Sequence, residues 1–228
     1  MAIYWIASST NVDRPHHPSA SWANWKNGKF TAWDREAWEE KEVTLPKEFV
    51  VIAESWSIKG YLQDKGWVWS NEIYSFANDI LTVRDNNGGI VKEGLWKDIK
   101  DYIKGLWLKL TKNVHYIDPA DASTLRTFCI KWAWLKSWME VFTDENRNAP
   151  AFKRIALDKV AKWKTWAVTY EYPVFKVASD LTADDRKAQQ ALWVELVNYK
   201  EATTISAEEY AEEQAAKEDT KDDDLPFS

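Results

Sequence analysis

A mainly β fold with one or two helices and an acidic tail is what this chain of 228 residues predicts. Three observations predict it. Short runs of β-branched and aromatic residues, bounded by Pro, Gly, Asn and Asp, recur over most of the length. One segment near the middle switches to apolar residues three or four apart, the period of a helix. From about Glu201 large apolar residues nearly vanish and carboxylates take over.

The elements follow in order. Residues 1–40 carry one short apolar run and then a turn-rich stretch holding Pro15-His16-His17-Pro18. "EVTLPKEFVVIAESWSIKGYLQ" reads as two strands broken by Pro46 and Gly60. "NEIYSFANDILTVRD", then Asn86-Asn87-Gly88-Gly89, then "IVKEG" reads as strand, turn and strand. In "GLWKDIKDYIKGLWLKL", Leu95, Ile99, Tyr102 or Ile103, Leu106 and Leu110 line one face and Lys97, Asp98, Lys100, Asp101 and Lys104 the other, an amphipathic helix.

"NVHYID", "LRTFCIKWAWL", "WMEVFT", "FKRIALDKV" and "WAVTYEYPVFKVA" return to strand-like runs, with Pro119, Asn146, Asn148 and Pro150 marking loops. Thr182, with Asp185 three residues on, opens a helix whose end, "WVELVNY", also fits a strand. Strands interrupted by a helix predict a small Greek-key barrel of the OB-fold kind over residues 1–200, with a generic α+β domain as the alternative. A disordered or transiently helical acidic linker over 201–221 and a short tip at 222–228 complete the expected organisation.

Composition narrows the class. The longest apolar runs, such as "FVVIA", are far shorter than the roughly 20 residues of a bilayer helix, and the start lacks the pattern of a secretory leader, so a cytoplasmic, non-membrane protein is expected. Cys129 is the only cysteine, which rules out an intramolecular disulfide and a cysteine-based zinc site; between apolar neighbours it reads as a buried structural thiol. His16, His17 and His115 read as loop and strand residues rather than metal ligands. "DKVAKWKTW" approaches a phosphate loop only if Trp163 is replaced by Gly, and then Asp158 stands where the first glycine is required. No catalytic motif is visible, so no enzyme activity and no cofactor are expected.

The net charge of −6 needs to be divided. Glu201–Ser228 holds ten acids and two lysines, a net of −8, so the preceding 200 residues carry +2. Within them, Lys92–Lys176 holds sixteen Lys and Arg against ten Asp and Glu. A basic body followed by an acidic tail suits a partner such as nucleic acid, although charges that merely decorate solvated faces give the same count.

Tryptophan and glycine are inverted in number. There are sixteen Trp and seven Gly, and Gly105 is the last glycine of the chain. Average usage of about 7% would give roughly 16 glycines. The tryptophans fall in small, polar turn contexts such as "SASWANWKNGKF" and "AKWKTWAV". Read as glycine, they raise the total to 23 and turn these stretches into ordinary hairpins. Some bacterial lineages and their viruses decode UGA as glycine, whereas a commoner alternative code decodes it as tryptophan, so the expectation is a translation made with the wrong code. The functional competitor is stacking of exposed indoles on bases or sugars, where each base is worth roughly 1–3 kcal/mol.

Asp222, Asp223, Asp224, Leu225, Pro226 and Phe227 resemble the acidic C-terminal tip of bacterial single-stranded DNA-binding proteins, which ends in aspartates, a branched aliphatic, proline and phenylalanine. The resemblance implies an OB-fold that binds single-stranded DNA without strong sequence preference, a flexible linker, and a tip that recruits replication, recombination and repair proteins. It is compatible with a homo-oligomer. Ser228 departs from it, since the family's phenylalanine is usually last.

A groove for single strands needs cations for phosphate and aromatic faces for bases. The best interleaving of both places DNA contacts at Phe128, Lys131, Phe152, Lys153, Arg154, Lys159, Lys162, Lys164, Tyr170 and Tyr172. Two alternative readings stand beside this one: a protein-interaction adaptor that mimics the tip, and a Trp-rich carbohydrate- or RNA-binding module.

Overall fold

A computed structural model describes residues 15–34, 36–131, 133–143, 146–166 and 168–222. Among these the fold is mainly β, with eleven strands and five helices. The chain divides into two compact units. One comprises Pro15–Trp56 and Leu110–Tyr199, the other Ser57–Lys109 and the chain from Lys200 on.

In the first unit, β1 (Ser21–Lys26), β2 (Lys29–Asp34), β3 (Glu39–Val43), β8 (Lys109–Asp118), β9 (Asp121–Ile130) and the first half of β4 (Val50–Leu62) form a sheet ordered β3-β2-β1-β9-β8-β4. β1 pairs parallel to β9, Ser21 opposite Arg126, whereas β8 and β9 form an antiparallel hairpin. The commonest two-residue hairpin turns place φ above zero, and Asn27 and Gly28 do so between β1 and β2 with φ of 50° and 81°.

Alternation along the strands sends Ala23, Trp25, Phe30, Val114, Tyr116 and Phe128 into one core, completed by Phe49, Val51, Ile155 and Phe175. The opposite parity of β8 and β9 carries Asn113, His115, Thr127 and Cys129, which with Ser55 of β4 are all buried and joined by hydrogen bonds. His115 meets Thr127 Oγ1 through Nδ1 at 2.8 Å and Ser55 Oγ through Nε2 at 3.1 Å. Both ring nitrogens are thereby engaged by hydroxyls, and burial of such polar groups is tolerated because they are paired.

Over the core lies the long hairpin of β10 (Lys153–Thr165) and β11 (Val168–Asp180), attached by the paired bonds Phe49–Ile155 of 2.8 and 2.9 Å. The stretches around Trp134 and Ala149, expected as strand and loop, are helical: α2 (Ala133–Val141) and α3 (Ala149–Phe152). In α2, Trp134, Leu135, Trp138 and Val141 fall at helical spacing against the core, and Trp138 Nε1 donates to Glu54. α4 (Ala183–Thr203) begins as expected: Asp185 N donates to Thr182 Oγ1 at 3.1 Å and Thr182 N to Asp185 Oδ2 at 2.8 Å, a reciprocal capping box. "WVELVNY" continues this helix.

In the second unit, the second half of β4 with β5 (Gly66–Ser70), β6 (Leu81–Arg84) and β7 (Ile90–Gly94) is ordered β4-β5-β6-β7, so Gly60 does not break the strand. A β-carbon on Gly60 would lie 2.5 Å from Leu108 Cδ2, so the Leu108 side chain would have to shift to admit one. Ile99 and Ile103 of α1 (Trp96–Gly105) bury against this unit's apolar residues, while Tyr102 stays exposed.

Residues 201–221, expected as a disordered or transiently helical linker, are helical at their start and through α5 (Ala207–Asp222). The reason is a second capping box, Ser206 with Glu209, placed beside β6 by the bond from Ile80 N to Ile205 O of 3.1 Å. The expected OB-like barrel is not seen, because no strand pairing among the described residues closes either unit's sheet. Of the tip, Asp222 ends α5, and Asp223, Asp224, Leu225, Pro226 and Phe227 lie outside the described residues.

Candidate nucleic-acid interface

The β10–β11 hairpin gathers most of the cations and aromatics that the sequence singled out. Its alternation is reset once. Leu157 pairs with Phe175 and Lys159 with Val174, so Asp158 is an extra residue, a β-bulge. Before the bulge, Ile155 and Leu157 point to the core; after it, residues of the same parity point away. Lys159, Ala161 and Trp163, with cross-strand partners Val174, Tyr172 and Tyr170, therefore form the outer face. Phe175 and Pro173 remain on the buried side.

Tyr170 is 49% exposed and Tyr172 half-buried. Lys162 and Lys164 leave from the other edge of the alternation near the hairpin's end and are exposed. Lys162 pairs with Glu171 at 3.2 Å, and Lys176 with Asp158 at 2.8 Å. The Lys176 hydrogen bond holds the Asp158 carboxyl below the usual carboxylate range. Lys159 and Lys164 have no ion-pair partner among the described residues. From Lys153 to Asp180 the hairpin holds six Lys and Arg against three Asp and Glu.

The other expected contacts separate from this face. Phe128 is fully buried and stacks on Phe175 with centroids 5.6 Å apart, so it cannot offer a ring to a base. It lies on β9, flanked by strands on both sides, where an aromatic at core parity is enclosed. Lys131 follows β9 and is half-buried. Phe152 is exposed at the end of α3, and Lys153 next to it pairs with Asp180 at 2.6 Å.

Arg154 donates to Asp185 through Nε at 2.9 Å and Nη2 at 2.8 Å, and faces Glu48 at 3.7 Å. Burial pushes the Asp185 carboxyl up, but the Thr182 backbone N–H and the Arg154 guanidinium more than cancel this and leave it lowered. Arg154 is thus a brace between the hairpin's base and the first turn of α4. Its role was missed from sequence, and the available clue was the Thr182-x-x-Asp185 box, whose carboxylate has acceptor capacity to spare.

No family model matches this chain, and no curated protein or solved structure matches it either. Among the described residues no helix is long and apolar enough to cross a membrane.

Proposed function

We propose that this chain binds single-stranded DNA without strong sequence preference and recruits replication, recombination or repair proteins through Asp222–Phe227. One observation carries the reading: a single exposed hairpin face presents Lys159, Tyr170 and Tyr172 together, while Lys162 and Lys164 stand exposed on the opposite face toward the hairpin's end. Phosphates need cations at spacings that a flexible strand can follow, and bases need aromatic faces; a long β-ribbon supplies both in rows. The tyrosines, not the tryptophans, supply the stacking surface in this reading.

The tip's resemblance to single-stranded DNA-binding proteins supports the same function, and its acids suit a basic pocket on a partner. An OB-fold is the arrangement that the resemblance implies. The present proposal places the contacts on an exposed ribbon and needs no closed barrel.

Fluorescence anisotropy of labelled oligo-dT with the full-length protein at two salt concentrations tests this. Micromolar or tighter binding that weakens with salt is expected, and simultaneous Lys159→Ala, Lys162→Ala and Lys164→Ala substitution should reduce both affinity and salt slope. Absence of binding to single strands refutes the proposal. Phe227→Ala should abolish capture of replication proteins while leaving oligo-dT affinity unchanged or higher; undiminished capture refutes the role of the tip.

A further inference from the structure

Four non-glycine residues among those described have a left-handed backbone: Asn27, Trp38, Trp107 and Trp166, with φ of 50°, 55°, 59° and 56°. Asn27 is ordinary, because asparagine tolerates this region and opens an Asn-Gly turn. A bulky aromatic there is an outlier, since its β-carbon crowds the following carbonyl. Three such outliers of one residue type in one chain ask for a common cause.

Each of the three sits in a local motif that specifies glycine. Gly105 ends α1, Leu106 is its C-cap and Trp107 the next residue. Trp107 N donates to Lys104 O at 2.9 Å and Leu108 N to Ile103 O at 3.2 Å, while Leu108 and Ile103 are both buried. This pair of bonds is that of the Schellman motif, and Trp107 occupies its glycine position.

Trp166 is the first residue of the two-residue connection left by the Thr165–Val168 pair, where tight hairpin turns require positive φ and favour glycine. Trp38 is the last residue of the four-residue connection between Asp34 and Glu39, next to the resumed ladder, the left-handed slot that such loops fill with glycine.

Lys109 Nζ lies 5.5 Å from the centroid of the Trp107 ring, a weak contact at an exposed site. Trp38, Trp107 and Trp166 are 52%, 80% and 94% exposed. A residue that strains its backbone is retained when its side chain is needed, and indoles this exposed contribute little burial.

We infer that the protein, as its source makes it, carries glycine at positions 38, 107 and 166, the source decoding as glycine a codon that yields tryptophan in this sequence. The inversion of sixteen Trp against seven Gly fits the same cause. The inference is independent of the proposed DNA binding, whose tyrosines and lysines it leaves in place.

Peptide mass spectrometry of the protein isolated from its source decides it. Peptides spanning the three positions are expected to be lighter than the tryptophan forms by an indolylmethyl group less one hydrogen at each position; tryptophan found in them overturns the inference. The same digest reads the other thirteen tryptophans, among them Trp25 and Trp138, whose indole N–H groups donate to the Glu171 carbonyl and the Glu54 carboxylate.

A second measurement uses recombinant protein. Trp38→Gly, Trp107→Gly and Trp166→Gly should each raise Tm by about 2–4 °C over the corresponding Ala variant. Gly variants no more stable than their Ala counterparts would show that the left-handed backbone is not what those positions require, and would count against the inference.

Discussion

The β1–β2 and β10–β11 hairpins of the first unit both close over two-residue connections, and their chemistry is opposite. β1–β2 is short and turns on Asn27-Gly28, residues suited to positive φ, with Lys26 opposite Lys29 as the last pair. β10–β11 has strands of thirteen residues and turns on Trp166, which is not suited to it. In the first, the turn itself specifies the register. In the second, register comes from the far end: the Phe49–Ile155 bonds, the Phe175 stack on Phe128 and the Arg154–Asp185 brace. A ribbon held at its base leaves its outer end for a ligand.

The largest expected effect removes what both hairpins share. Phe128 touches Phe30 of β2 and Phe175 of β11 through ring contacts at 5.5 and 5.6 Å. Phe128→Ala should cost about 3–5 kcal/mol of unfolding free energy in urea titration. Next is Gly28→Ala, in the turn of the short hairpin. Its β-carbon would meet Glu171 Oε2 at 2.3 Å with φ at 81°, and a loss of about 1–2 kcal/mol is expected from the backbone term, opposite in sign to Trp166→Gly.

Asp185→Ala loosens the base of the long hairpin and the cap of α4 together, a loss of about 1 kcal/mol by denaturation. Because its carboxyl is held low in the folded state, the Asp185 contribution is fully present above the ordinary aspartate value of about 3.9 and disappears as pH falls through the lowered folded value. Tyr116 works at the other end of the scale. Burial pushes its phenol up to about 12, so folded protein favours the neutral form, and stability should fall as pH rises from about 10 toward that value, unless Tyr116→Phe removes the dependence. Smallest is Lys159→Ala, expected to leave Tm unchanged and to lower the salt slope of oligo-dT binding by about 1.

Local features were legible in the sequence wherever the code is local. The spacing of Ile99 and Ile103, the Thr182–Asp185 box and the Asn86–Gly89 turn each specify their element within a few residues, and the structure has all three. What depends on partners was not. Whether Phe128 faces solvent or core is set by strands paired to both sides of β9, and whether Lys159 faces out is set by a bulge at Asp158. Yet the switch from apolar Ile155 and Leu157 to Lys159 at the same parity was a written trace of that bulge. In the acidic stretch from Glu201, composition averages over Ser206-x-x-Glu209, a capping box that begins a helix there.

The parallel pairing of β1 with β9 has a consequence for synthesis. Ser21 waits for Arg126, roughly a hundred residues further along the chain, and at about 5–20 residues per second the ribosome takes roughly 5–20 s to deliver it. Throughout most of that interval β1, β2 and β3 are a three-stranded meander with an apolar face and an unclaimed edge at β1. Another nascent copy can claim that edge first, so yield in cells should depend on expression rate and on holdase chaperones more steeply than the stability of the finished protein implies.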